Sequence, residues 1–297
     1  MSQTVSASTQ KAYGIACVVR IWNLTRSSFY AARNRQQNPR EPRKRGPRVL
    51  SDAELLAAIR EVIHEAAFAG EGYRKIWARL RFKGIRTSKE RVNRLMRENQ
   101  LLSPQRQPAP APERSHEGTI VTSRPDEMWG TDATATATAA EGAITVFAAI
   151  DHCTAECVGI HAVKKATRFE ALEPVRQAVR ERLGGFRAGV GVGLRLRHDH
   201  GSVYMSDDFQ NEIRFLGIES SPAFVRQPEG NGCIERFFRT LKEQLLWVRR
   251  FRDLDELSAA LIEFRHRYNQ QWIIGRLGYR TPDQARRDFE VALPAAA

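Results

Sequence analysis

Leu194-Arg195-Leu196-Arg197-His198-Asp199-His200-Gly201-Ser202 opens the stretch that decides the fold, and Asn231-Gly232-Cys233-Ile234-Glu235-Arg236-Phe237-Phe238-Arg239-Thr240-Leu241-Lys242 closes it, with 35 residues between Asp199 and Glu235. Apolar and basic residues alternate over 194–198, the period of a strand, and the strand delivers Asp199 at its C-terminal end. A helical segment follows, with Phe209, Ile213, Phe215 and Leu216 as its apolar side. Residues 218–224 read as another short strand, and Gln227-Pro228-Glu229-Gly230-Asn231-Gly232 as a turn-rich breaker. The next helix carries Glu235, Arg236, Arg239 and Lys242. Upstream, Trp129-Gly130-Thr131-Asp132 places an earlier aspartate at the start of a strand-like run over 128–135. Two strand-borne aspartates and one helix-borne glutamate are the arrangement a two-metal phosphoryl-transfer site needs. The acids alone mean little in a chain with 34 of them; order and local context decide.

Around that stretch the pattern is α/β. Residues 128–135, 143–151 and 156–163 read as successive strands, and 169–183 as a helix with Leu172, Val175, Val179 and Leu183 on one side, stopped by Gly184-Gly185. Strand, helix, strand and helix follow through Glu235. This order suits a mixed sheet flanked by helices but admits other α/β folds. Residues 254–268 form a long amphipathic helix, 276–288 close the chain, and 291–297 read as a frayed tail. Trp129 reads as a core anchor.

The chain has 297 residues and a net charge of +13. Residues 1–117 hold 23 Lys/Arg against 10 Asp/Glu, whereas 118–297 hold 24 of each, so all the excess positive charge lies in front. That asymmetry suggests a polyanion-binding front half. The 4 cysteines are scattered, as in a reducing compartment. His152, Cys153 and Cys157 lack the second ligand pair of a zinc site. No apolar run approaches a membrane span and no signal pattern opens the chain, which reads as cytoplasmic.

Residues 9–36 read as two short helices, with Thr25 an N-cap for the second; a helix-turn-helix and a plain helical hairpin fit equally. Residues 37–49 form a basic linker containing Arg43, Lys44 and Arg45, suited to tracking phosphates. Residues 50–103 read as a helical DNA-binding domain. Ser51 with Glu54 makes a capping box, Tyr73, Ile76, Trp77 and Leu80 one stripe, and Gly84 a stop; Thr87 with Glu90 makes a second capping box. The last helix turns Val92, Leu95 and Met96 inward and shows Lys89, Arg91 and Arg94. Residues 104–117 are a Pro-rich linker, and 118–290 the core with its C-terminal helices.

Trp129-Gly130-Thr131-Asp132, His198-Asp199-His200-Gly201-Ser202-Val203-Tyr204, the 231–242 segment and Leu277-Gly278-Tyr279-Arg280-Thr281-Pro282 together resemble bacterial insertion-sequence transposases with a retroviral-integrase-type core. The resemblance spans roughly 50–290. It implies a ribonuclease-H-like fold with a mixed five-stranded sheet, preceded by small all-α helix-turn-helix units. It implies a metal-dependent polynucleotidyl transferase that cuts and joins DNA, with Asp132, Asp199 and Glu235 as catalytic metal ligands. Two Mg2+ ions are implied, with Mn2+ able to substitute; Asp132 would bridge both ions while Asp199 and Glu235 hold one each. Lys242 and Arg239 are implied to grip DNA near the scissile phosphate, and Asn231 to cap its helix or touch DNA. His198 and His200 would act only as supports around Asp199, and Asp151 matches a family aspartate that is not a ligand. The implied partners are element-end and target DNA, an upstream-frame transposase protein and further copies of the chain on the nucleoid. A nuclease of the same fold and a silent DNA-binding regulator stand as alternatives.

Overall fold

In a computed structural model, residues 3–37, 50–104, 122–223 and 231–292 are described. The Arg43, Lys44 and Arg45 cluster, nearly all of the 104–117 linker and the 227–230 turn lie outside them. The chain divides into two compact units, Met1–Leu50 and Ser51–Ala297.

In the first unit, α1 (Ile15–Ile21) and α2 (Arg26–Gln37) are joined by a turn with Asn23 at φ 51°. Thr25 Oγ1 accepts the Ser28 N–H at 3.2 Å, the expected cap. Val19 is the buried apolar residue of α1, and α2 buries none of its described side chains.

In the second unit, α3 (Asp52–Glu65), α4 (Tyr73–Phe82) and α5 (Lys89–Glu98) pack around Leu55, Ile59, Ile76, Leu80, Val92 and Met96. The Ser51–Glu54 capping box is formed in both directions. α5 departs from expectation: Ser88, not Thr87, caps it by accepting the Arg91 N–H at 3.1 Å. The hydroxyl one residue later meets the free amide two residues into the helix, so the helix starts one residue later.

The sheet contains β1 (Met128–Thr138), β2 (Gly142–Asp151), β3 (Cys157–Val163), β4 (Arg195–His198) and β5 (Glu219–Pro222), in the order β3-β2-β1-β4-β5. β1 is antiparallel to β2 and β2 to β3, while β4 runs parallel to both β1 and β5. This mixed order is the ribonuclease-H-like arrangement. Asp132 lies in the middle of β1 rather than at its start, because β1 is longer at its C-terminal end than the apolar pattern suggests.

The period of two along β2 sorts the core. Ile144, Val146, Ala148 and Ile150 face α8 (Gly232–Leu241) and α9 (Leu254–Gln271) in one cluster. Phe147 and Ala149 face α6 (Arg168–Arg182) and α7 (Asp207–Phe215) in another. α6 tolerates Pro174 in its interior, and it lies so close to β3 that a Cβ on Gly159 would come 2.0 Å from the Pro174 carbonyl oxygen. A single π turn, Lys242–Leu246, follows α8, and α10 (Pro282–Ala292) ends the described chain.

The three-helix segment is seated on the core. Phe68, from the loop between α3 and α4, is 2% exposed and belongs to the cluster of α8 and α9. The Gln244 side-chain amide donates to the Ala69 carbonyl at 2.9 Å, and its oxygen accepts the Ala69 N–H at 3.0 Å. Arg79 clasps buried Glu71 at 2.5 and 2.9 Å and donates to the Gln271 carbonyl at 3.3 Å.

Candidate active site

Backbone register brings the two aspartates to adjacent strands. The last parallel pair between β1 and β4 is Gly130 with Arg197. Asp132 and Asp199 each stand two residues beyond that pair, on the same side of their strands by period two. Asp132 Oδ1 accepts the Ala133 N–H at 2.8 Å. Asp199 Oδ1 accepts the Gly201 N–H at 2.8 Å, and a Cβ on Gly201 would lie 2.8 Å from that same oxygen, so the turn requires glycine. Glu235 lies in the first turn of α8, where the helix dipole favours a carboxylate.

The electrostatics link these groups. Burial pushes the Asp132 carboxyl up to about 6; the Ala133 N–H opposes this, Asp199 and Glu235 add repulsion, and Lys242 pulls it back. Glu235 sits on the exposed side of α8, yet partial shielding raises its carboxyl too, against the pull of Arg239 and Arg236. Asp132 thus lies within reach of the charges of Asp199, Glu235 and Lys242, which come from other elements. Among the described residues, no three acidic, histidine or cysteine side chains stand close enough to enclose an ion. The donor chemistry nonetheless fits a hard divalent cation, which takes carboxylate oxygens and relieves repulsion among like charges.

Supporting side chains surround the carboxylates. Buried His198 donates from Nδ1 to the Asp199 carbonyl at 2.7 Å and accepts from Ser220 Oγ at 2.9 Å, tying β4 to β5. Tyr204, which the sequence reading left without a role, stacks on His198 at 5.6 Å and feels both aspartates. Asn231 is turned inward, 7% exposed, with Nδ2 directed at the Thr131 carbonyl at 3.5 Å. Asn231 stands at the N-cap position of α8, but its side chain makes no cap bond; it joins α8 to β1 beside Asp132. His152 lies beside it against Gly130, and burial lowers its imidazole to about 4.

Trp129 is fully buried and donates Nε1–H to Asp126 Oδ1 at 2.9 Å. Arg286 of α10 donates to both Asp126 oxygens, at 2.7 and 3.0 Å, and also pairs with fully buried Glu156, which Arg182 meets from α6. Asp151 accepts N–H groups from Thr154 at 2.7 Å and Asp126 at 2.8 Å, so it works as a buried strut. The partners of Arg286 are more than 100 residues away in sequence, and local pattern carries no signal for them.

The basic candidates divide into two groups. Arg239 is exposed on α8 and Lys242 half-buried at the start of the π turn. Lys89 lies over the Trp77 ring at 4.5 Å. Arg91 and Arg94 both hold Asp52 of α3, at 2.6 and 2.7 Å. Such exposed pairs are worth at most about 1 kcal/mol and exchange readily for phosphate.

Residues 51–109 match the family model of an HTH-like domain, and 216–282 that of an integrase core domain. A transposase InsD of insertion element IS2 from Escherichia coli is 28% identical over 285 residues, covering 93% of this chain and 92% of the relative. Among solved structures, the BIV integrase catalytic core is 20% identical with a TM-score of 0.43, covering 56% of this chain and 97% of that one. The HTLV-2 integrase catalytic core domain, solved in complex with magnesium, is 20% identical with a TM-score of 0.42, covering 55% and 98%. Integrase cores depend on divalent metal ions, and no helix among the described residues is long and apolar enough to cross a membrane. The chain is thus similar along 93% of its length to an IS2 transposase, and it carries matches to an HTH-like domain and an integrase core domain.

Proposed function

We propose that this chain is a transposase that binds the ends of a mobile element, cuts DNA there and joins the exposed 3′-hydroxyl to a target. The observation that carries this reading is that Asp132 on β1, which pairs with β4, lies within reach of the charges of Asp199 just past β4, Glu235 in the first turn of α8, and Lys242. Asp132, Asp199 and Glu235 would hold two magnesium ions. When bound, such ions activate an attacking oxygen and stabilise a leaving one. Lys242 and Arg239 bind the phosphates on either side of the reacting bond. Gly201 and His198 hold Asp199 in place, and Asn231 holds the start of α8 against β1. The front-half basic groups Lys89, Arg91, Arg94, Arg43, Lys44 and Arg45 bind the element end. Further copies of the chain and an upstream-frame protein complete the assembly on the nucleoid.

Glu235→Gln, Asp132→Asn and Asp199→Asn each keep nearly the same volume and remove the charge that holds the ion. Each variant should still bind terminal-repeat DNA and lose magnesium-dependent cleavage. Near-normal cleavage by any of the three would remove that residue from the ligand set. A wild-type protein that only degrades DNA would make it a nuclease, and one that binds ends without cutting, a regulator.

A further inference from the structure

Leu241, Leu245 and Leu246 all enter the core, with Leu245 and Leu246 6% and 8% exposed. An α-helix cannot turn residues four and five positions after Leu241 to the same side. The π turn over 242–246 widens the helix enough to bury both leucines. Its consequence falls on the next two residues. Trp247 and Val248 are pushed out of the core and stand 69% and 70% exposed. The Trp247 N–H bonds to the Lys242 carbonyl at 2.8 Å, so the indole is carried one helical turn from the lysine whose charge reaches Asp132.

The surroundings are basic. Arg249, Arg250 and Arg252 follow directly; Arg249 and Arg252 share Glu256, at 2.7 and 3.2 Å. Arg250, exposed between them, makes no ion pair among the described residues. An exposed indole beside a free guanidinium suits a nucleic-acid strand, because bases offer a stacking face and the phosphates a charge. A base inside a duplex is covered on both faces, so the ring can stack only on one that has left its pair.

The geometry points to a stacking site on Trp247 for an unpaired DNA base, with Arg250 on the adjoining phosphate, one turn beyond Lys242. It rests on the DNA-joining reading above and names where a separated strand lies next to the reacting bond.

The test uses the full chain and two duplexes with one sequence. One carries 2-aminopurine in a short single-stranded extension, and the other is blunt with the same base paired. Wild-type protein should quench the extension. Trp247→Ala should abolish that quenching and weaken binding of the extended duplex by about 10-fold, with the blunt duplex changed by less than about 2-fold. Trp247→Phe should recover most of both effects. Arg250→Ala should weaken binding of both duplexes and lower the salt slope by about one. Undiminished quenching and affinity in Trp247→Ala would overturn the site. Self-association of the DNA-free wild type in sedimentation, lost in Trp247→Ala while DNA binding persists, would give the face to a second copy of the chain. A wild type that binds neither duplex would instead sink the DNA-joining reading, and this site with it.

Discussion

Phe68, on the loop between α3 and α4, stands edge-on to Trp272 at the end of α9, with ring centroids 4.9 Å apart and planes at 81°. It also meets Phe264 edge-on at 6.2 Å. An aromatic residue from the front segment thus completes the core cluster beneath α8, the helix that carries Glu235 and Lys242. Phe68→Ala should cost about 3–5 kcal/mol, the usual penalty for emptying a buried aromatic site. Urea unfolding of the full chain measures it. A loss below about 1 kcal/mol would show that the helical segment and the core are not one cooperative unit.

Asp132 makes a charge-dependent contribution with a defined sign. Its carboxyl titrates near 6 in the folded chain against an ordinary value of 3.8. The folded state therefore binds the proton more tightly, and the stability this supplies, fully present below about pH 4, is lost as pH rises through 6. At about 1.4 kcal/mol per unit, the ionised form costs roughly 3 kcal/mol. Without metal, Asp132→Asn should melt above the wild type at pH 8, with the gap closing towards pH 4. Added magnesium should raise the wild type and narrow the difference at pH 8. Identical melting curves at both pH values would show the carboxyl to be well solvated.

Lys242 separates binding at the reacting bond from metal holding. Lys242→Ala should reduce joining of a pre-cut end to target DNA by about 10-fold or more, the loss of one charge-assisted contact. Lys242→Arg should be milder, since the charge stays while the geometry differs. The measurement is a strand-transfer assay with a labelled terminal-repeat oligonucleotide. Equal joining by wild type and Lys242→Ala would free the lysine of this role. The same alanine variant should push the Asp132 carboxyl further up, because Lys242 holds it down.

Gly159 lets α6 lie on β3. A methyl group there would collide with the Pro174 backbone, which cannot swing away as a side chain tip would. Gly159→Ala should cost about 1–3 kcal/mol or more, as overpacking does. A thermal melt within a degree of wild type would mean that α6 shifts without penalty.

Much of the fold was legible because its determinants are local. The Ser51–Glu54 box, the Gly84 stop and the strand over 143–151 depend on a few residues each, and each formed as read. The three acids were proposed from strand-like runs and a helix start; Asp132 turned out to lie in the middle of β1, not at its start, whereas Glu235 does stand in the first turn of α8. The charge asymmetry likewise needed only counting.

The sequence by itself thus determined the elements and their order along the chain. Tertiary structure alone decided what each of them meets. Asn231 turned inward because Gly130 leaves room beside β1. Arg91 and Arg94 closed on Asp52, from another helix. Glu156 is buried with Arg182 and Arg286, and Phe68 is seated against α9. The physical reason is range. Capping and periodicity are fixed by neighbours along the chain, whereas a buried ion pair or a docked ring depends on surfaces that exist only after the chain has folded back on itself.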